Sequence, residues 1–471
     1  MRKLSLTLTA ILVFITAFQP VSAQTATPPA GPVYIIQEGD TLWEIAYRFN
    51  ITFDELVAAN PDIDPDFISV GQQLVIPGLE GITGVLTTEV VALGETFRSL
   101  SRRYQVSTDI LQRLNRIVSP TELYAGVSLV VPVTDESAAL KGRVSLGSGE
   151  TMLELAARQN ANPWSLAGVN ETGAPGRTLP KDILYTWNET SDAQASGLPP
   201  AFQSIEVSPL PLVQGMTTEI IVATSARSLT GTLVDYPLQF FGLDAGKQVA
   251  LQGVHAMLEP GLYPLTLTAT LEDGSQQSFE QMVLVASGFY PDDPDLYIMD
   301  ASTIDVEVSD TEFAQVLEIA LKVTPERYWQ GLFTSPASLF PEPECYTSRF
   351  GNRRTYKTLE GETRLLSFHS GQDFCGGTGL PITAAAPGMV VFAGPLTVRG
   401  NATIIDHGWG IFTGYYHQSE ILVSVGEQVE SGQLIGYVGA TGRVTGGHLH
   451  WEVWVNGIQV NPLTWLEQQF P

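Results

Sequence analysis

The 471-residue sequence predicts a multidomain protein: a row of small α+β modules, an all-β middle domain and a β-rich C-terminal domain. Three observations carry that reading. The front half repeats itself every 55 residues, the middle alternates apolar and polar residues in short runs, and five of the six histidines fall in the last 103 residues. A chain of this length does not form one compact core, so three or more domains are expected. An apolar content of 44% and a charged content of 16% describe globular modules rather than a disordered chain.

The first element, residues 1–23, has the form of a secretory signal peptide. Arg2 and Lys3 are its basic start, Leu4 to Phe18 its apolar stretch and Val21-Ser22-Ala23 its small-residue cleavage site. That apolar stretch is shorter than the roughly 20 residues a membrane span needs, so a soluble, exported chain without stable membrane insertion is expected. Without Arg2 and Lys3 the chain keeps 22 basic and 50 acidic residues, a net charge near −28. Such a charge argues against nucleic acid and against anionic membrane surfaces as partners. Cys345 and Cys375, in an exported chain, are expected to form a disulfide; Cys375 as a metal ligand is the weaker alternative.

The repeat comes next. Gly39-Asp40-Thr41-Leu42 matches Gly94-Glu95-Thr96-Phe97 and Gly149-Glu150-Thr151-Met152, and Asn60, Asn115 and Asn170 keep the same spacing. Leu42, Ile45, Ala46 and Phe49 recur at helical spacing, behind an acidic residue and a threonine suited to a helix start. A second short helix over Phe53–Ala59 and strands at 33–36 and 73–76 complete each unit. With GDTLWEIA and a terminal VIP, residues 33–77 resemble the LysM carbohydrate-binding module. Residues 90–132 resemble it too, and residues 144–187 form a degenerate copy. The resemblance implies binding of N-acetylglucosamine-containing glycan, in a groove between loops Gly39–Thr41 and Asn60–Ile68.

Residues 199–287 change character. Runs such as Glu219–Ala223 and Tyr263–Thr268, bounded by turns such as Glu272-Asp273-Gly274, predict about seven short strands and an immunoglobulin-like β-sandwich. His255 stands alone there and reads as structural; the block itself reads as a spacer or a dimerisation surface. Residues 288–343 form a connector with one helix, capped by Ser309 or Asp310 and burying Phe313, Val316, Leu317 and Ala320.

The chemistry lies in residues 344–471. In a strand from His448 to Val455 side chains alternate, so His448 and His450 share a face. Glycines 371, 376, 377 and 379 argue against a helix around His369 and Asp373, leaving a loop that leads into a strand. Two imidazoles and a carboxylate are the donor set of a catalytic zinc that keeps one position open. The absence of any HExxH excludes the thermolysin-like arrangement.

FGNR, HSGQD, PITAAAPGMVVFAG, NATIIDHGWGIFTGYYH, VGATGRVTGGHLHWEVWVNG and NPL follow one another in the order found in lysostaphin-type zinc endopeptidases. The resemblance implies His369, Asp373 and His450 as ligands of Zn2+. It implies His448 as the catalytic histidine and His417 as the second one, with His407 structural. It also implies cleavage of wall peptides, so the expected partner is bacterial peptidoglycan and the expected location the cell envelope. A non-catalytic wall-binding regulator that activates a partner murein hydrolase is the alternative, and the intact ligand set speaks against it. The run Tyr356–Phe368 is longer than the family pattern and is expected to shape one wall of the groove.

Overall fold

The computed structural model describes residues 31–79, 81–119, 122–138, 140–146, 149–179, 182–188 and 198–471. The expected export signal lies outside the described residues. The chain divides into two compact units, Met1–Val85 and Leu86–Pro471.

In the first unit the strands Val33–Ile35 and Gln73–Val75 pair antiparallel, and two helices, Leu42–Phe49 and Phe53–Ala59, lie between them in the chain. Thr41 caps the first helix by accepting from the Glu44 amide, and Thr52 forms a capping box with Glu55. Asp40 does something else: its carboxylate accepts from the Tyr34 hydroxyl, the Gln37 amide and Arg48, which ties down the loop before the helix. The recurring asparagine has a physical cause. The Asn60 side chain donates to the carbonyls of Leu56 and Val75 and accepts from the Val75 amide, pinning helix end to strand. Asn115 repeats this with Leu111 and Val130, and Asn170 with Leu166 and Tyr185.

The second unit holds the other two repeats and everything after them. Its first repeat has helices Phe97–Tyr104 and Thr108–Asn115, and its second has Met152–Arg158 and Pro163–Val169 between the paired strands Gly142–Ser145 and Ile183–Thr186. The two are joined by an Arg143–Glu95 ion pair at 3.0 Å and by Arg102, which donates to the Ile183 carbonyl. The repeat at 90–132 also docks on the middle domain, where the Ala125 amide bonds the Met282 carbonyl and the Gly94 amide bonds Gln281.

Residues 202–286 form two antiparallel-dominated sheets over one core that includes Ile220, Val222, Ala250, Leu265, Leu267 and Val283. This block is not a detached spacer. Val249 and Leu251 of its strand Lys247–Gly253 belong to the same buried cluster as Trp329, Trp409, Trp451 and Trp465. Phe241 stacks on Trp409 at 4.8 Å, and Asn456 donates to Gln252. Gly253 sits so close to the C-terminal domain that a Cβ there would lie 2.7 Å from the Ile458 Cβ.

The expected connector is built into the last domain. Its helix spans Val306–Ala320 and is capped by Asp305, one turn ahead of Ser309 and Asp310. Val316 and Ala320 are buried as expected, Leu317 is half-buried against the same cluster, Phe313 is 40% exposed beside Trp454, and Glu312 is buried among them. Downstream, Trp329, Phe333 and Phe340 enter the C-terminal core. That core lies against a large sheet in which Tyr346–Ser348, Gln372–Phe374, Leu449–Val455, Ile411–Ile421 and Gly400–Gly408 are successive neighbours. The run expected to shape the groove is a hairpin, Arg353–Lys357 with Thr363–Phe368. Cys345 and Cys375 are joined in a disulfide that clamps the ends of the paired strands Tyr346–Ser348 and Gln372–Phe374, so Cys375 is no thiolate ligand.

Candidate functional site

The site assembles by strand register. Gln372–Phe374 pairs antiparallel with Leu449–Val455 so that Asp373 stands opposite His450, and side chains of such a pair share a face. His369 follows the strand Thr363–Phe368 and returns over the same point. The three side chains converge: His369 Nε2 lies 2.9 Å from Asp373 Oδ1 and 3.0 Å from His450 Nδ1, and His450 Nδ1 lies 2.6 Å from Asp373 Oδ1. All three residues are buried.

The outer nitrogens fix the tautomers. His369 Nδ1 donates to the Arg349 carbonyl at 2.7 Å, and His450 Nε2 donates to Glu452 at 3.2 Å. In the neutral tautomers both inner nitrogens carry lone pairs, and both face a carboxylate oxygen. A cation between them would satisfy all three acceptors, which lie within 3.0 Å of one another, at once. Arg354 holds the other Asp373 oxygen at 3.3 Å, which leaves Oδ1 for the cluster. The residues present thus fit a divalent metal of the zinc type, two neutral imidazoles and one carboxylate.

His448 and His417 stand beside this cluster. His448 Nδ1 bonds the Gly446 carbonyl at 2.9 Å, and its Nε2 lies 3.5 Å from Asp373 Oδ1. His417 reaches the site by a backbone departure. Tyr416 pairs with His450 and stacks on its ring, so regular alternation would send the next side chain to the other face. Instead His417 adopts φ 59°, and its ring lies 4.9 Å from that of His448. A left-handed non-glycine residue of this kind costs about 1–3 kcal/mol and is characteristic of functional sites. Its Nδ1 donates to the Thr441 carbonyl at 2.8 Å. Burial, then His448 and His450, hold His417 well below the usual histidine range, so its ring is neutral.

Sequence reasoning missed Glu452, Arg399 and Glu312. Buried Glu452 accepts from His450 Nε2, Ser370 Oγ, Trp454 Nε1, the Tyr416 hydroxyl and Arg399 Nη2. Arg399 also bonds Glu312, which accepts the Val398 and Arg399 amides at 2.6 and 3.0 Å. A buried charge chain therefore runs from the helix Val306–Ala320 to a histidine of the cluster. The signal for Glu452 was present in HLHWE, a carboxylate two residues past His450 on the same strand face. His407 is elsewhere: it is fully buried, bonds the Pro387 carbonyl and Thr413, and burial pushes it down to about 4. The site opens into a cavity of about 490 Å³ lined by His369, Asp373, His417, His448 and His450.

The model of peptidase family M23 matches residues 367–462, and that of the LysM domain matches 34–77 and 90–132. The chain carries a peptidase M23 domain and two LysM domains. The chain is 42% identical over 118 residues to the peptidoglycan DD-endopeptidase ShyC of Vibrio cholerae, covering 25% of this chain and 26% of that protein. It is 43% identical over 126 residues to the DD-carboxypeptidase/endopeptidase Mpg of Neisseria meningitidis, covering 26% and 28%. The match thus spans about a quarter of each relative's length. Among solved structures, the catalytic domain of lysostaphin from Staphylococcus simulans matches at 34% identity, covering 21% of this chain and 80% of that one with a TM-score of 0.21. The buried cluster and the cavity lie within or beside the M23 region, and no helix among the described residues is long and apolar enough to cross a membrane.

Proposed function

We propose that this protein is a secreted peptidoglycan endopeptidase that hydrolyses wall peptides with zinc held by His369, Asp373 and His450. The observation that carries this reading is the buried convergence of two imidazoles and one carboxylate, the donor set of a catalytic zinc. The M23 match and the names of the two relatives support the substrate class. When bound, zinc supplies Lewis-acid polarisation of the scissile carbonyl and lowers the pKa of water.

The chain's own residues do the rest. His448 has Nδ1 engaged with Gly446, so its Nε2 is free to take a proton from the attacking water and return it to the leaving amine. His417, neutral and engaged at Nδ1 by Thr441, has an accepting Nε2. That favours orienting the water over stabilising an oxyanion, which needs a donor. Glu452 and the Arg349 carbonyl hold the imidazoles of His450 and His369 in the ligating tautomer.

The LysM domains at 34–77 and 90–132 support anchoring to N-acetylglucosamine-containing glycan. We assign the repeat at 144–187 as a degenerate LysM module on its shared strand–helix–helix–strand order, and residues 199–287 as an immunoglobulin-like sandwich on its two sheets. The test is direct. Purified protein should bind about one equivalent of zinc and release new amino groups from peptidoglycan. His450→Ala should abolish both; unchanged release by that variant overturns the site. Release only in the presence of a partner hydrolase would favour the regulator instead.

A further inference from the structure

The formal charge of the chain is −26, yet four arginines, Arg349, Arg354, Arg399 and Arg443, line the cavity over the histidine cluster. Two of them are neutralised within the fold. Arg354 pairs with Asp293 and Asp373, and Arg399 with Glu312 and Glu452. The other two have no carboxylate within 4.0 Å among the described residues. Arg349 is exposed, its guanidinium 5.9 Å over the Tyr346 ring.

Arg443 is the more telling case. It is mostly withdrawn from solvent, its guanidinium lies 4.3 Å over the Tyr356 ring, and Nη1 donates to the Thr303 carbonyl at 3.2 Å. A guanidinium carries five N–H donors, and a ring face and one carbonyl leave most of them without an acceptor among the described residues. Arg443 lines the cavity with no carboxylate within ion-pair distance among the described residues, which marks a place for an anion. Burial also lowers its pKa, the expected response to that environment.

Its position ties it to the reaction. The Arg443 amide bonds the Val398 carbonyl, and Thr441, two residues earlier, holds His417 Nδ1. Building on the peptidase reading, we propose that the cavity recognises its peptide through a carboxylate close to the scissile bond, and that Arg443 is the residue that binds it. A carboxylate suits the planar fork of a guanidinium, whereas a neutral glycine bridge offers nothing to it. The substrate class is therefore a stem peptide with a free carboxylate, at its C-terminus or on the side-chain carbon of a diamino acid.

The experiment uses zinc-loaded full-length protein and three cross-linked stem peptides: one unmodified, one amidated at its C-terminus, one amidated on the diamino acid. Amidation at the recognised position should lower wild-type kcat/KM roughly ten- to hundredfold, as loss of a charge-assisted bond implies, and the position that matters names the source. Arg443→Gln should be slowed as much on the unmodified peptide and show no preference between it and the sensitive analogue. A wild-type enzyme indifferent to both amidations overturns the proposal. So does an Arg443→Gln enzyme slowed equally on all three peptides, since that is the behaviour of a strut between Thr303 and Tyr356. Should no peptide be cleaved, the peptidase reading fails. Titration of the same peptides onto metal-free protein then decides the carboxylate site alone: tighter binding of the charged peptide by wild type but not by Arg443→Gln supports it, and equal binding refutes it.

Discussion

Glu452 offers the sharpest test of how the fold supports the cluster. Replacing it by glutamine keeps the volume and removes the charge. The wild-type carboxylate accepts from five donors, including His450 Nε2 at 3.2 Å and Arg399 Nη2 at 3.3 Å. A glutamine has one acceptor oxygen and turns an NH2 toward the remaining donors, so at least one of the five, the Trp454 indole or the Arg399 guanidinium, is left facing a donor. Burial would raise Glu452, but Arg399 and His450 outweigh it, so the folded state strongly prefers the anion. Removing one member of such a buried charged set costs about 3–5 kcal/mol. His450 also loses the acceptor that fixes its tautomer, and loss of such a support weakens metal binding by about 10- to 100-fold. Zinc affinity by chelator competition and the urea midpoint of the same variant measure the two effects separately. Zinc affinity within about twofold of wild type would refute the view that Glu452 sets the ligating nitrogen.

Other consequences follow from the same geometry. His407 is buried with its pKa near 4 against about 6.5 when unfolded, so between these values only the unfolded chain binds a proton. Stability should be full above pH 6.5 and fall by about 3 kcal/mol as pH drops towards 4, and His407→Gln should flatten that acid limb in denaturant melts. Asn115→Ala removes three hydrogen bonds to Leu111 and Val130 and should cost about 2–3 kcal/mol, read as a shift in the unfolding midpoint. Gly253→Val places atoms against Ile458 and should cost about 1–3 kcal/mol while raising protease sensitivity between the middle and M23 domains.

How much of this was legible in the sequence differs by residue. Asp373 and His450 could be brought together because glycines placed one beside a strand and alternation placed the other on a face. The helices of the repeats were legible because Leu42, Ile45, Ala46 and Phe49 encode a buried stripe, and all four are buried. The asparagine spacing was visible, but its cause was not, since it depends on a strand amide fifteen residues away. Asp305 escaped notice as a cap because Ser309 and Asp310, equally suited by type, stood one turn later in the same run.

The resemblance named His417, but what brings it into the site was hidden, as were Glu312 and Arg399, for a common reason. Each acts through a backbone conformation or a partner distant in the chain. His417 belongs to the site only because φ 59° turns its ring out of the strand's alternation, and nothing in YYHQ announces a left-handed residue. Glu312 reads on a helical wheel as one more exposed acid on an acidic helix. Burial turns it into an anchor: it caps two amides of the segment whose Arg399 carbonyl accepts the His417 amide, and through Arg399 it reaches Glu452 and His450. The M23 match begins at residue 367, so this anchor lies outside the matched region. A chain shortened to residues 367–462 would retain every ligand yet leave Arg399 without one of its two carboxylates. The helix Val306–Ala320 is therefore part of the machinery that positions the site, not a tether to it.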